Sequence, residues 1–263
     1  MKHKYLTILV LGFAALFYGP SEAMAQLSSF AVLGGSTVTN TATPTVVTGN
    51  LGVSPGSAVT GFPPGIVTGA IHAGDAVAAQ AQSDLTTLYN SLANAVCDAD
   101  LTGQDLGGLT LTPGVYCFST SAQLTGTLTL DAQGNPNAIF TFKIGSTLTT
   151  ASGSSVLLIN SASSCGVFWQ VGSSATLGTG TALAGNIVAL SSITLNTGAS
   201  VNGRVLARNG AVTLDDSDVT VCSGGPGLPV PVAEVPTLSG WAMIVLTGLL
   251  LLSGLAAMRR RVT

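Results

Sequence analysis

Apolar and polar residues alternate singly along much of the chain, and the alternation restarts every few residues at a Gly, Ser or Asn. A period of two is that of a strand with one buried face, so these runs predict short β-strands joined by tight corners. The runs also recur. "NIVALSSITLNTGASVNG" (186–203) and "RVLARNGAVTLDDSDVTV" (204–221) are eighteen residues each and align closely. "GVFWQVGSSATLGTGTALAG" is the same unit with two more residues, and "AIFTFKIGSTLTTASGSSV" is a looser copy. A repeat of this length, made of three short strands, predicts a mainly β fold: a right-handed parallel β-helix of triangular section, whose coils bury their apolar sides only by stacking.

Aligning the copies sorts residues into columns. Val167, Ile187 and Val205 fall in one inward column and Trp169, Ala189 and Ala207 in the next. Leu177, Leu195 and Leu214 point inward on the second side, and Leu183, Val201 and Val219 on the third. On the first side Phe168, Val188 and Leu206 point outward, and an apolar outer face needs a cover. The cover is "DAVAAQAQSDLTTLYNSLANAVC" (75–97), free of Gly and Pro, opened by an Asp suited to capping. Its stripe of Val77, Ala81, Leu85, Leu88, Leu92 and Val96 predicts one long α-helix packed along that side. The stretch before it alternates in the same way, with Gly and Pro corners, and predicts further coils preceding the helix in the order coils, helix, coils.

The second side is left uncovered. Its outward column reads Thr129, Thr147, Thr176, Thr194 and Thr213. A second column at the following corner reads Thr150, Thr179 and Thr197, then Asp216, with Ser152 and Thr181 nearby. Outward Thr also fits any solvated pleat, so the columns alone do not establish a function.

Both ends differ from this pattern. Lys2 and Lys4 precede an apolar run, and small residues at Ala23 and Ala25 mark a secretory signal peptide over residues 1–25. The β-helix domain is expected over 26–225 and a Pro-rich linker over 226–240. An apolar run at 241–258, followed by the basic tail 259–263, is long enough to span a bilayer with the arginines on the cytoplasmic side. "VPTLSGW", the apolar run and "RRR" resemble the IPTL-type C-terminal sorting signal of Gram-negative bacteria, with Val235 in place of the usual Ile. The resemblance implies a tail recognised and processed at the membrane; a plain anchor has the same topology. The chain is therefore expected in the cell envelope or on the cell surface, or released outside after processing.

Charged residues make up only 7% of the chain. Between residues 26 and 237, Lys143, Arg204 and Arg208 stand against nine Asp and Glu234, a net charge of −7. Such a surface repels nucleic acid. Four cysteines in an exported chain allow disulfides. Cys97 and Cys117 flank a short Gly- and Asp-rich segment and are the expected pair; for Cys165 and Cys222 the sequence leaves the pairing open. No Cys or His spacing suits zinc, and no metal or other cofactor is expected. Lone His72 before the helix suits a structural or capping role, and no nucleophile–base constellation can be assembled around it. The few carboxylates in the coils are scattered, unlike those of β-helix enzymes that cleave polysaccharides. No catalysis is expected.

From Phe30 to Cys222 the chain resembles the DUF3494 family of bacterial and fungal ice-binding proteins. The resemblance is carried by "FAVLGGSTVTNT", "GNLGVSPGSAVTGFPPG", "IHAGDAVAAQAQSDL", "DLGGLTLTPGVYCF", "VFWQVGSSATLGTGT" and "VNGRVLARNGAVTLD". It implies a triangular β-helix flanked by a long helix, with ice as the partner of one flat face; the domain itself is expected to be monomeric. The resemblance does not transfer individual ice-binding residues. A surface adhesin or structural solenoid without ice affinity shares the same overall features.

Overall fold

The computed structural model describes residues 26–41, 45–223 and 228. All belong to the first of two compact units, Met1–Pro231. The expected signal peptide, sorting motif and apolar C-terminal run lie outside the described residues. Among the described residues no helix is long and apolar enough to cross a membrane.

The coils form a parallel β-helix with three walls. Among the described residues every strand pairing is parallel, as it must be when successive coils run the same way round. Seven strands make one separate sheet, the threonine wall. The other two walls form one fifteen-stranded sheet, because Ala182–Ala189 and Ser200–Ala207 run straight through the corner between them. At that bend Gly185 has φ +119°, and a Cβ there would sit 2.8 Å from the Trp169 ring and from Val167. Only glycine leaves the indole room to turn the corner, and the Trp169 Nε1–H donates to the Ala184 carbonyl at 3.1 Å.

The interior is filled by apolar side chains. Trp169 stacks on Phe142 with ring centroids 4.0 Å apart, and Phe142 on Tyr116 at 5.7 Å. This aromatic ladder continues as Ile187, Val205 and Val32. The expected inward columns on this wall are thus out of step by two residues in one coil. Ile187 and Val205 stack on Trp169 instead of Val167, while Ala189 and Ala207 follow Val171. The bulk of Trp169 and the glycine bend set that register.

The stacking order also departs from the chain order. The N-terminal coils do not sit ahead of the helix as a separate block. They continue the stack after the last repeat, with Val32 beside Val205, Val38 beside Val212 and Val46 beside Asp218. Helix α1 (Ala76–Ala93) then carries the chain back along the covered wall to Ala99–Asp100, where the remaining coils begin. Its 18 residues span about 27 Å, most of the ~38 Å covered by the eight inter-strand steps of that wall.

Local chemistry fixes both ends of α1. The Asp75 side chain accepts from the Ala78 N–H at 2.8 Å, and His72 Nδ1 lies 2.8 Å from its other oxygen. His72 thus serves the helix cap. At the other end Lys143 Nζ donates to the Ala95 carbonyl at 3.3 Å, a cation where the helix dipole favours one. Between them Ala81, Leu85, Leu88 and Leu92 close over Phe30, Leu33, Phe168, Val188 and Leu206. Val96 does not join this stripe: the helix has ended, and Val96 is 85% exposed.

Disulfides link Cys97 to Cys117 and Cys165 to Cys222. The second closes the far end of the last repeat, beside a buried cation. Arg204 is 6% exposed and donates to Ser28 O, Asn186 Oδ1 and Cys222 Sγ. Burial lowers its pKa to about 10, so it remains charged at neutral pH. One guanidinium therefore joins the first described residues, two middle coils and the end of the domain.

Candidate functional site

The threonine wall is built from Ala122–Leu124, Leu148–Thr150, Ala175–Leu177, Ile193–Leu195, Val212–Leu214, Thr37–Asn40 and Ala58–Thr60, in that spatial order. In the repeat coils the flanking residues of each short strand point into the core and the middle one points out. Parallel pairing stacks the middle residues into one column: Gln123, Thr149, Thr176, Thr194, Thr213, Thr39 and Thr60. All seven are half-buried or exposed. Strand spacing places the rungs about 4.8 Å apart.

Two further columns flank this one. Two residues earlier, by the strand period, stand Ser121, Thr147, Ser174, Ser192, Ala211, Thr37 and Ala58. At the following corner Thr125, Ser152, Thr179, Thr197 and Asp215 each precede a residue at positive φ: Gly126, Gly153, Gly180, Gly198 and, in the last repeat, Asp216 at +47°. Asp is among the few residues that tolerate this left-handed conformation, so Asp216 takes a corner that the other coils give to glycine.

The wall is a grid of small hydroxyls and methyls. Within it Thr60 Oγ1 donates to Thr39 Oγ1 at 3.1 Å, and Thr147 Oγ1 to Ser121 Oγ at 2.8 Å. Among the described residues the hydroxyls of Thr149, Thr176, Thr194 and Thr213 have no hydrogen-bond partner, which leaves them for water. Lys143, Arg204 and Arg208 all belong to the covered wall or its edge, where Arg208 lies 4.9 Å over the Tyr89 ring. Among the described residues the charged side chains at the threonine wall stand at its edges: Asp105, bridged to Gln123 beyond the first rung, and Asp215 and Asp216 at the corner of the last repeat.

The structure redistributes several of the expected residues. Thr176, Thr194 and Thr213 lie in the central column, and Ser152, Thr179 and Thr197 at the exposed corner. Thr147 moves to the flanking column. Thr129 is on the third wall, paired with Thr110 and Leu157. Thr150 and Thr181 are buried and meet at 2.7 Å; Thr150 also accepts from the Gly178 N–H. Thr150 stands in line with inward Leu124, so it is a core residue and cannot touch anything outside. The Thr-Leu pairs of the regular repeats misled here, because in "STLTT" it is Leu148 that aligns with Ala175, one position before the ladder residue. Thr149, Gln123, Thr39 and Thr60 were not among the expected residues. The last two were readable in "TVTN" and "AVT", but their membership depends on the N-terminal coils stacking beyond Val212–Leu214.

The sequence pattern described as ice-binding-like matches residues 32–220. The chain belongs to this ice-binding-like family. An ice-binding protein of Nostoc sp. (strain HG1) is 55% identical over 226 residues, covering 84% of this chain and 83% of its own. The crystal structure of an ice-binding protein from an Antarctic biological consortium superposes with a TM-score of 0.74 at 47% identity, covering 76% of this chain and 90% of its own. That of the ice-binding protein of the Antarctic ascomycete Antarctomyces psychrotrophicus gives the same TM-score at 40% identity, covering 76% and 98%. The family match over residues 32–220 takes in the coils, the helix and the threonine wall together.

Proposed function

We propose that this chain adsorbs to ice through its threonine wall, with the central column from Thr149 to Thr60 as the axis of contact. The observation that carries the reading is the in-register stacking of six threonines on seven consecutive rungs of an uncovered sheet. Methyl groups on such a rung order the water around them, and hydroxyls at fixed spacing anchor it. The rigid stack holds this arrangement before the crystal arrives, so joining ice costs little further ordering. Kinship with proteins described as ice-binding supports the same partner. A general solenoid adhesin remains the alternative of the same architecture, but it gives no reason for a central column of uncharged side chains.

The test is growth of a single ice hemisphere in dilute protein. The folded domain is expected to be taken into the advancing ice; a folded domain pushed ahead of the front would refute the reading.

We also propose that the chain is exported and held at the envelope by its C-terminal apolar run until the tail is processed. The two disulfides suit an oxidising compartment. Fractionation of cells producing the full chain, with and without residues 226–263, distinguishes retention from direct release.

A further inference from the structure

The proposed contact surface is not uniform along its length. Its corner column presents hydroxyls at Thr125, Ser152, Thr179 and Thr197 in successive coils, all exposed. In the next coil the same place, immediately before the left-handed residue, is taken by Asp215. The Thr197 hydroxyl donates to Asp215 Oδ2 at 2.6 Å, a short charge-assisted bond that turns it from solvent toward its neighbour. This is the only hydrogen bond that the Asp215 side chain makes with described residues. Its place in the coil is held by the backbone instead: its N–H donates to Leu195 O and Ser217 Oγ, and its carbonyl accepts from Ser217. The carboxylate is thus dispensable to the fold.

Resting on the reading above, we infer that Asp215 is the residue that bounds the ice-contact surface, restricting it to the central and flanking columns. A carboxylate keeps its own tightly held water, and pressing ordered ice against it requires stripping or reorienting that shell. The cost falls on Asp215 and on Thr197, whose hydroxyl it has captured. The central column escapes, since Thr213 and Thr39 continue through the same coils without a charge. The surface that remains is long and narrow. Neutralising this one position should extend it to the corner.

The experiment compares thermal hysteresis, as a function of concentration, for the parent domain, Asp215→Asn, Asp215→Thr and Asp218→Asn. Asp218 is exposed on the third wall and removes the same charge away from the surface in question. Both Asp215 variants are expected to lower the half-saturating concentration about ten-fold, equivalent to ~1.4 kcal/mol, with Asp218→Asn unchanged. Equal gains at 215 and 218 would show a net-charge effect and overturn the inference. So would unchanged or reduced hysteresis in the 215 variants of an active parent. A folded parent with no hysteresis would instead refute the ice reading, and the inference with it.

Discussion

Two threonines adjacent in the chain can have opposite roles, and only their direction decides which. Thr149 faces water beside Thr176, whereas adjacent Thr150 faces the core, where its hydroxyl serves Thr181 and the Gly178 N–H. Thr150→Val is therefore expected to leave ice affinity intact while costing about 1–3 kcal/mol, since it strands a buried donor; urea unfolding beside a hysteresis assay separates the two effects. Asp84 is a second residue whose place matters more than its type. It lies buried on α1 with Oδ2 unpartnered, and burial raises its pKa despite the opposing bond from Gln80. A raised carboxyl pKa means that the folded state holds the proton more tightly. The associated stability is present at low pH and lost as pH rises through the folded value. Asp84→Asn should therefore raise Tm at neutral pH and change it little below the ordinary value of 3.8. The sequence showed the Thr columns but not their phase, because alternation is insensitive to a shift of two.

At the scale of elements, the covering helix was legible in its start and its packed face from the capping Asp and apolar stripe, but it ends at Ala93, a turn short of the expected Val96. Its cap titrates in the direction opposite to Asp84. The Ala78 N–H and the His72 ring hold the Asp75 carboxyl below its usual pKa. That contribution is present above the unfolded pKa and is lost as pH falls through the lowered one. Asp75→Ala is expected to lower Tm at neutral pH, with the deficit shrinking toward zero in acid, as thermal melts at several pH values would show. The corners are equally specific. Asp216→Gly should be tolerated or mildly stabilising, because glycine adopts the left-handed conformation without strain. What the sequence concealed was the wall register, since the bulk of Trp169 and the missing Cβ of Gly185 set it jointly across two coils.

For the whole molecule, the decisive feature is that the N-terminal coils complete the far end of the stack. Local patterning cannot reveal this, because each coil would pack as well on any neighbour of similar width. The join depends on contacts between residues about 175 positions apart, such as Arg204 with Ser28 and Thr41 with Leu214. Arg204→Ala removes the donor to buried Asn186 Oδ1, at about 1–3 kcal/mol, together with both bonds to the Ser28 carbonyl. It should free the N-terminal segment first, which limited proteolysis followed by mass spectrometry would detect. Opening the Cys165–Cys222 disulfide, with its sequence separation of 57, should cost about 4 kcal/mol in the chain-entropy view and loosen the same junction. The join also lengthens the threonine wall by two rungs, Thr39 and Thr60, so the stability of the fold and the reach of its surface are coupled.

The most direct measurement is thermal hysteresis of Thr176→Asp/Thr194→Asp beside Ser155→Asp/Ser200→Asp, a matched pair of charges on the third wall, with circular dichroism confirming both folds. The account expects activity to vanish in the first variant and persist in the second. Activity lost in the second and kept in the first would contradict it and place the ice-binding surface on the third wall.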